Sequence, residues 1–369
     1  MPAEFDPAAE LGLFPDKLFV CNCRGFLTKN NNIRDLCSRF ISNGDHVYDV
    51  IDRYDDLTAY VLGREEATAG STLKWVVPFL KAYGATDHSM HQYSRECLEM
   101  MPSAGKAMRY VSELMPTFIT TSTYEHGILP IMEELDAPLC EVFCSKLELD
   151  PANFGRADSR KIREMAQELA SMKIPKVKYK LNVPMEVHEN DVRIIKHIDL
   201  LLQSRLAELP AMNLMESTSP VTSHKKAYQL LDIRRQTGID LDGVFYIGGD
   251  ATDYQSMDLV QDSGGLSVAF NGAEFAVRGS TIAVMSKDST VGAVLAGEFY
   301  NRGIQAVLDL ANNWERKYLK EADVFDRYLL DEMLALHPRK LPDVRLVDRH
   351  NIDSLAEESD KYRRKLLGL

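Results

Sequence analysis

The sequence has no long hydrophobic run and no excess of positive charge. No apolar stretch among its 369 residues approaches the roughly 18 residues that a membrane-spanning helix needs, so we expect no membrane insertion. Lysine and arginine total 43 against 55 aspartates and glutamates, which argues against binding to nucleic acid, because such binding needs a basic surface. Residues 1–13 lack the basic start and apolar stretch of a signal peptide. The sequence therefore predicts a cytoplasmic protein.

Cysteine is also scarce, and its spacing is not that of a zinc site. The closest pairs are Cys21 with Cys23 and Cys140 with Cys144, and no histidine pair stands nearby at ligand spacing. The expected compartment is reducing, which disfavours disulfides. We therefore expect free thiols and no metal–thiolate site.

Short apolar segments alternate with helical patterns along much of the chain. This alternation is typical of an α/β fold in which helices cover both faces of a parallel sheet. The predicted strands are residues 18–23, 116–121, 141–149 and 243–249, with Leu266–Phe270 and Ile282–Met285.

Two helix-rich insertions interrupt this alternation and divide the chain into four parts. The predicted parts are an α/β core at 14–30, 110–150 and 212–300, a first helical insertion at 31–109, a second at 151–211, and a helical C-terminal extension at 301–369. Residues 339–369 alternate acidic and basic side chains, so we expect a surface-lying arm that suits partner binding.

Polar residues follow several predicted strands, and these positions are the candidates for a site. In open parallel sheets, ligands bind at the carboxyl ends of the strands. The segments of interest are 22–28, 120–123, 225–226 and 248–253.

Those four segments, in that order, resemble the motifs of the haloacid dehalogenase (HAD) superfamily of phosphatases. In that family a first strand ends in Asp-x-Asp-Gly, a second in Thr or Ser, a Lys precedes a helix, and a last strand ends in Gly-Asp-x-x-x-Asp. Within this superfamily the chain resembles archaeal phosphoserine-phosphatase-like HAD proteins, including one encoded with energy-converting hydrogenases. The resemblance runs from Leu18 to Phe299 and implies a Rossmann-like core whose two helical insertions are caps over the site.

The first motif departs from the family at both catalytic positions. Asn22 stands where the resemblance implies a nucleophilic Asp, and Arg24 where it implies the general acid and base, while Gly25 is kept. A neutral amide is a poor nucleophile and a weaker ligand for a hard cation than a carboxylate. An arginine stays protonated and cannot pass a proton to a leaving group.

The remaining motifs are better matched but not complete. Thr121 and Ser122 stand at the second motif and Lys226 at the third, so the resemblance makes them, with Arg24 and Gly25, phosphate-binding candidates. A polar strand end and a solvated lysine are the alternative interpretations.

The fourth motif keeps its second Asp and shifts its first. Asp253 matches the second Asp, whereas Gly249 takes the place of the first and Asp250 follows one residue late. Asp250 and Asp253 are the candidate metal ligands, unless Asp250 serves only as a helix cap. We expect Arg24 to take the place of the ion and to pair with Asp253 or Asp250, because buried carboxylates need a counter-cation.

Three functions follow from these departures. The first is a catalytically inactive HAD-like protein that serves as a binding, regulatory or complex subunit, with no cofactor. The second is an active phosphomonoester hydrolase that uses Mg²⁺ and atypical residues, such as Asp250 as base or Cys21 or Cys23 as nucleophile. The third is a sensor that keeps Thr121, Lys226 and Arg24 as a phosphate cradle. The expected partner is a phosphorylated small molecule or a protein.

Overall fold

One seven-stranded sheet forms the centre of the structure, a computed structural model that describes residues 15–135, 140–177 and 188–368. The expectation for residues 1–13 thus lies outside the described residues. The strands are β1 (Leu18–Cys21), β2 (Thr117–Tyr124), β3 (Cys140–Ser145), β4 (Val244–Gly248), β5 (Leu266–Phe270), β6 (Ile282–Met285) and β7 (Asp343–Leu346).

The strand order is β3-β2-β1-β4-β5-β6-β7, and every pairing is parallel except that of β6 with β7. This order confirms the predicted Rossmann-like α/β fold. The connections change direction between β1 and β4, and such a switch point is where open sheets bind ligands. Strands β1, β4, β5 and β6 are buried at every residue, as expected for strands covered on both faces.

Helices cover the sheet and fill both insertions. The first insertion holds α1 (Asn32–Phe40), α2 (Gly44–Asp56), α3 (Thr72–Ala82) and α4 (Asp87–Glu96), and α5 (Ala104–Leu114) and α6 (Glu125–Leu135) flank β2. The second insertion holds α7 (Arg156–Ser171) and α8 (Glu189–Asp199). Helix α9 (Ala211–Ser217) begins at the predicted boundary of residue 211 and packs with the insertions.

The rest of the chain adds α10 (Ser223–Thr237), α11 (Tyr254–Asp262), α12 (Glu274–Arg278), α13 (Thr290–Asn312), α14 (Arg316–Glu321), α15 (Arg327–Leu336) and α16 (Ile352–Leu367). In the part of the chain that the structure describes, no helix combines the length and apolar character needed to cross a membrane.

The two insertions share one hydrophobic core that is separate from the cores beside the sheet. Leu36, Ile51 and Val76 of the first insertion belong to the same buried cluster as Ile162 and Leu201 of the second. The two insertions therefore form a single helical cap. Helix α5 extends across the predicted boundary at residue 109, and its buried residues pack with the sheet.

The expectation of a surface-lying arm at the C-terminus is wrong. Strand β7 pairs with β6 and extends the sheet, and Leu355 and Ala356 of α16 are fully buried in the core. The alternating charges conceal an apolar helix face, because Leu355 and Ser359 recur at the four-residue spacing of one helix side and both are fully buried.

A buried carboxylate in the cap makes stability depend on pH. Asp55 accepts hydrogen bonds from the N–H of Gly70 and from the N–H and hydroxyl of Thr72, at 2.8–3.0 Å. Burial nevertheless outweighs these bonds and raises the pKa of Asp55 to about 7. The folded protein therefore binds a proton more tightly than the unfolded chain, whose aspartates titrate near about pH 4.

We expect the contribution of protonated Asp55 to the free energy of unfolding to be complete below about pH 4 and to be lost as the pH rises to about 7. Asp55→Asn removes the titrating group, so its free energy of unfolding falls less over that range than that of the wild type. Urea denaturation at a series of pH values measures both slopes. Equal slopes in the two proteins would show that Asp55 does not titrate in this way.

Candidate functional site

The predicted site residues meet where β1 and β4 end, at the switch point of the sheet. A cavity of about 770 Å³ lies between this edge and the cap. Asn22, Arg24, Thr121, Ser122 and Asp250 all line it. The structure therefore brings the first, second and fourth motifs together.

The amide of Asn22 bridges the two aspartates of the fourth motif. Its Nδ2 donates to Asp250 Oδ2 and to Asp253 Oδ2, each at 2.9 Å, and its Oδ1 accepts the N–H of Cys23 at 2.7 Å. The reverse orientation of the Asn22 amide would place its oxygen against two carboxylate oxygens. The two carboxylates therefore require the NH₂ group of Asn22 to face them. A carboxylate at this position has no hydrogen to offer.

Asp253 is completely buried, and both of its oxygens accept hydrogen bonds. The Lys226 ammonium donates to Oδ1 at 2.6 Å, and the Tyr246 hydroxyl donates to the same oxygen at 3.0 Å. The N–H groups of Gly249 and Asp250 each donate to Oδ2 at 2.8 Å. Lys226 is itself fully buried and does not line the cavity, so it acts here as the counter-ion of Asp253.

Asp250 is held by two arginines that come from distant parts of the chain. Arg24 donates from Nε to Asp250 Oδ1 at 2.6 Å, and Arg363 of α16 donates from Nη2 to the same oxygen at 2.7 Å. Arg363 also donates to the carbonyl of Gly249. The pairing of Arg24 with Asp250 is one of the two pairings expected from the sequence.

The charges of this cluster stabilise one another. Burial alone would raise the pKa of Asp250, but Arg24, then Arg363 and Lys226, outweigh it and hold that pKa well below its usual range. Burial opposes the charge of Arg24 as well, yet Asp250 raises the pKa of Arg24 above its ordinary value. Both groups therefore stay ionised at every working pH.

Two glycines let the strand ends approach each other closely. A Cβ at Gly249 would lie 2.9 Å from the carbonyl oxygen of Phe270 and 3.0 Å from that of Arg24. A Cβ at Gly25 would lie 2.8 Å from the same Phe270 oxygen, and Gly25 has a φ of +91°. A side chain at position 249 would therefore require the neighbouring backbone to shift, and in this structure the carboxylate stands at Asp250 instead.

The predicted phosphate-binding hydroxyls are already used within the protein. The Thr121 hydroxyl donates to Oγ1 of Thr123 at 3.1 Å, and the Ser122 hydroxyl donates to the carbonyl of Val221 at 2.7 Å. Phosphate binding by Thr121, Ser122, Gly25 and Lys226 stays a prediction. Of the predicted phosphate-binding groups, Arg24 is the cation that lines the cavity.

The donor set does not fit Mg²⁺. This ion requires oxygen ligands in octahedral geometry. Each of the four carboxylate oxygens of Asp250 and Asp253 instead accepts N–H or O–H donors, and three cations surround them. Within residues 15–135, 140–177 and 188–368, no three or more His, Cys, Asp or Glu side chains form a metal-binding group.

The cysteines proposed as alternative nucleophiles are buried thiols. All six cysteines are free, as expected. Burial raises the pKa of Cys23 to about 12, although a hydrogen bond with Thr121 opposes this effect, and burial raises the pKa of Cys21 still more clearly. A thiol with such a pKa is protonated at neutral pH and is a poor nucleophile.

The cap contributes a second polar wall that sequence reasoning did not find. Tyr48, Asp52 and Asp56 line the cavity from one side of α2, and the Tyr48 hydroxyl donates to Asp52 Oδ1 at 3.1 Å. Burial raises the pKa of both aspartates. Their four-residue spacing was the available signal, since it places all three on one helix face.

Arg363 was also missed, and its signal was again helical spacing. Residues 361–365 read as Lys-Tyr-Arg-Arg-Lys, which suggests an exposed basic helix end. Arg363 lies four residues after Ser359 and eight after Leu355, on the buried side of α16. The side chain of the neighbouring Arg364 is not on this buried side, and it is 65% exposed.

The fold has counterparts among solved structures. The gene product AF1437 from Archaeoglobus fulgidus superposes with a TM-score of 0.75 at 19% identity, covering 96% of this chain and 97% of that chain. A phospho-aspartyl intermediate analogue of phosphoserine phosphatase gives a TM-score of 0.44 at 11% identity, over 74% of this chain and 95% of that chain. A phosphoserine phosphatase in its apo form gives a TM-score of 0.44 at 13% identity, over 74% of this chain and 94% of that chain.

No protein-family profile and no curated protein sequence matches the chain. The likeness to the Archaeoglobus gene product shows a shared fold.

Proposed function

We propose that the chain is a HAD-like protein whose phosphatase site is catalytically inactive, and that it binds a ligand instead of hydrolysing it. The motif resemblance supports the family, and the residues at the first motif support the loss of chemistry. Asn22 has no carboxylate with which to attack phosphorus, and Arg24 has no proton to give at a working pH.

The observation that carries this proposal is the closed ion-pair network beneath the cavity. All four carboxylate oxygens of Asp250 and Asp253 accept hydrogen bonds from side chains of the network. The donors are Asn22, Arg24, Lys226 and Arg363. In this proposal Arg24 takes the place of the metal ion. The network is complete without a cofactor.

The cavity above this network suits a ligand with an anionic group. The cluster beneath the cavity holds three cations, Arg24, Lys226 and Arg363, and two carboxylates, Asp250 and Asp253. Asp52 and Asp56 line the opposite wall, so the anionic group is expected on the Arg24 side of the cavity. Arg24 contacts Asp250 through Nε and Nη2 and its side chain is 17% exposed, so further N–H donors of its guanidinium remain for a ligand. A phosphate is a natural partner for this planar group. The proposed ligand is therefore a phosphorylated small molecule.

A panel of phosphomonoesters with Mg²⁺ tests this function. We expect no hydrolysis above the blank, and we expect at least one compound to raise the Tm of the wild type by binding the native state. Arg24→Gln should lose this rise because its neutral side chain offers the phosphate no charge. Differential scanning fluorimetry and phosphate release measure the two quantities.

Arg34→Gln is the matched control, because Arg34 also lines the cavity but pairs with Asp49 on the cap. It should keep the ligand-induced rise in Tm. Mg²⁺-dependent turnover that disappears in Asn22→Ala would contradict the proposal and would show an active phosphatase with atypical residues.

A further inference from the structure

Helix α16 has one face on the core and another on the cavity. Leu355 and Ser359 are fully buried, and the Ser359 hydroxyl donates to the carbonyl of Gly272 at 2.8 Å. Glu357, Lys361 and Arg364 line the cavity. The helix is therefore both a part of the packed core and one wall of the binding space.

Arg363 joins this helix to the turn that follows β4. Its side chain is 5% exposed, and its guanidinium binds both the Gly249 carbonyl and the Asp250 carboxylate. The same turn is held from below by Asp253, which accepts the N–H groups of Gly249 and Asp250. The turn therefore has one support from the core and one from α16.

We infer that α16 is an intramolecular latch of the site. With the helix docked, Asp250 has two arginines and the cavity is closed on one side. When the helix lifts, Asp250 keeps only Arg24, the Gly249 carbonyl loses its buried donor, and the cavity opens. The turn then keeps its support from Asp253 but becomes looser, so the opening of the helix is coupled to the turn, and the docked helix restricts access to the site.

This latch acts on the site proposed above, but its test needs no ligand and no turnover. Hydrogen–deuterium exchange of the full chain, followed by mass spectrometry, reports the opening of each segment. In Arg363→Ala we expect exchange to rise by a common factor of about ten in residues 352–367 and in residues 249–253, because a buried charged hydrogen bond is lost on both sides. Exchange in β1 should not change.

Arg364→Ala is the control, since Arg364 is exposed and pairs with Asp360 within the same helix. It should leave both segments unchanged. Ser359→Ala loosens the helix without touching the turn, and it should still raise exchange in both segments; it serves equally if Arg363→Ala does not fold. Faster exchange in residues 352–367 alone, or in neither segment, would overturn the latch, whatever the phosphomonoester panel shows.

Discussion

Replacing Asp253 with alanine is expected to lower the free energy of unfolding by about 3–5 kcal/mol, the cost of leaving a buried charge without its partner. The Lys226 ammonium is completely buried and Asp253 is its salt-bridge partner. The Tyr246 hydroxyl and the N–H groups of Gly249 and Asp250 lose the same acceptor. Urea denaturation at neutral pH, followed by circular dichroism, measures the loss.

The double variant Asp253→Ala/Lys226→Met separates the charge from the packing. It removes both ions, so we expect it to be more stable than the sum of the two single losses predicts. Asp232→Ala breaks an exposed pair with Arg235 in the same helix as Lys226 and should change stability little. If the stability loss of the double variant equalled the sum of the two single losses, Asp253 and Lys226 would not be energetically coupled.

Asn22→Asp introduces the residue that the motif resemblance implies at this position, and it is expected to destabilise the protein by about 3 kcal/mol at pH 8, because two buried carboxylates lose a hydrogen-bond donor and gain a like charge. The substitution replaces a donor with a carboxylate beside Asp250 and Asp253, each 2.9 Å from the present amide nitrogen. Repulsion raises the pKa of the introduced carboxyl above its unfolded value of about 4. The loss relative to wild type should therefore shrink as the pH falls toward 4 and grow as it rises.

Asn22→Ala is the control for the charge, since it removes the amide donors without adding a carboxylate. Its loss of stability should vary much less with pH than that of Asn22→Asp. If millimolar Mg²⁺ returned Asn22→Asp to wild-type stability, the ion would be entering beside Arg24. That result would contradict the proposal that Arg24 takes the place of the ion.

The elements predicted best are those with strong local signals. The predicted strands Leu266–Phe270 and Ile282–Met285 have the observed bounds, because each is a continuous apolar run buried on both faces. Helix α10 (Ser223–Thr237) likewise has local signals at both ends. Thr222 caps its first turn, and Gly238 ends it with a φ of 72°.

The C-terminal elements were not predicted, because their conformation depends on contacts with distant parts of the chain. Strand Asp343–Leu346 is short, carries two charged residues, and pairs antiparallel at the sheet edge. Its conformation depends on the neighbouring Ile282–Met285 more than on its own residues. Neither periodicity nor composition indicates such a strand.

The site residues also fall into those that the sequence predicted and those that it did not. Motif positions placed Asn22, Arg24 and Asp250 at neighbouring strand ends, and the need for a counter-cation predicted the pairing of Arg24. Helical spacing could place Arg363 on the buried side of its helix, but no local pattern indicates that it reaches Asp250, 113 residues earlier in the chain. Contacts between such distant residues require the tertiary arrangement, which local patterns do not encode.

The origin of the two arginines also sets an order of assembly during synthesis. Arg24 precedes Asp250 by 226 residues, whereas Arg363 follows Asp250 by 113. On the ribosome, Asp250 therefore emerges into a chain that already holds Arg24, and it waits for Arg363 until many more codons are read. Until Arg363 has been synthesised, Asp250 can pair with Arg24 but not with its second arginine, and the turn after β4 lacks the contact that α16 supplies.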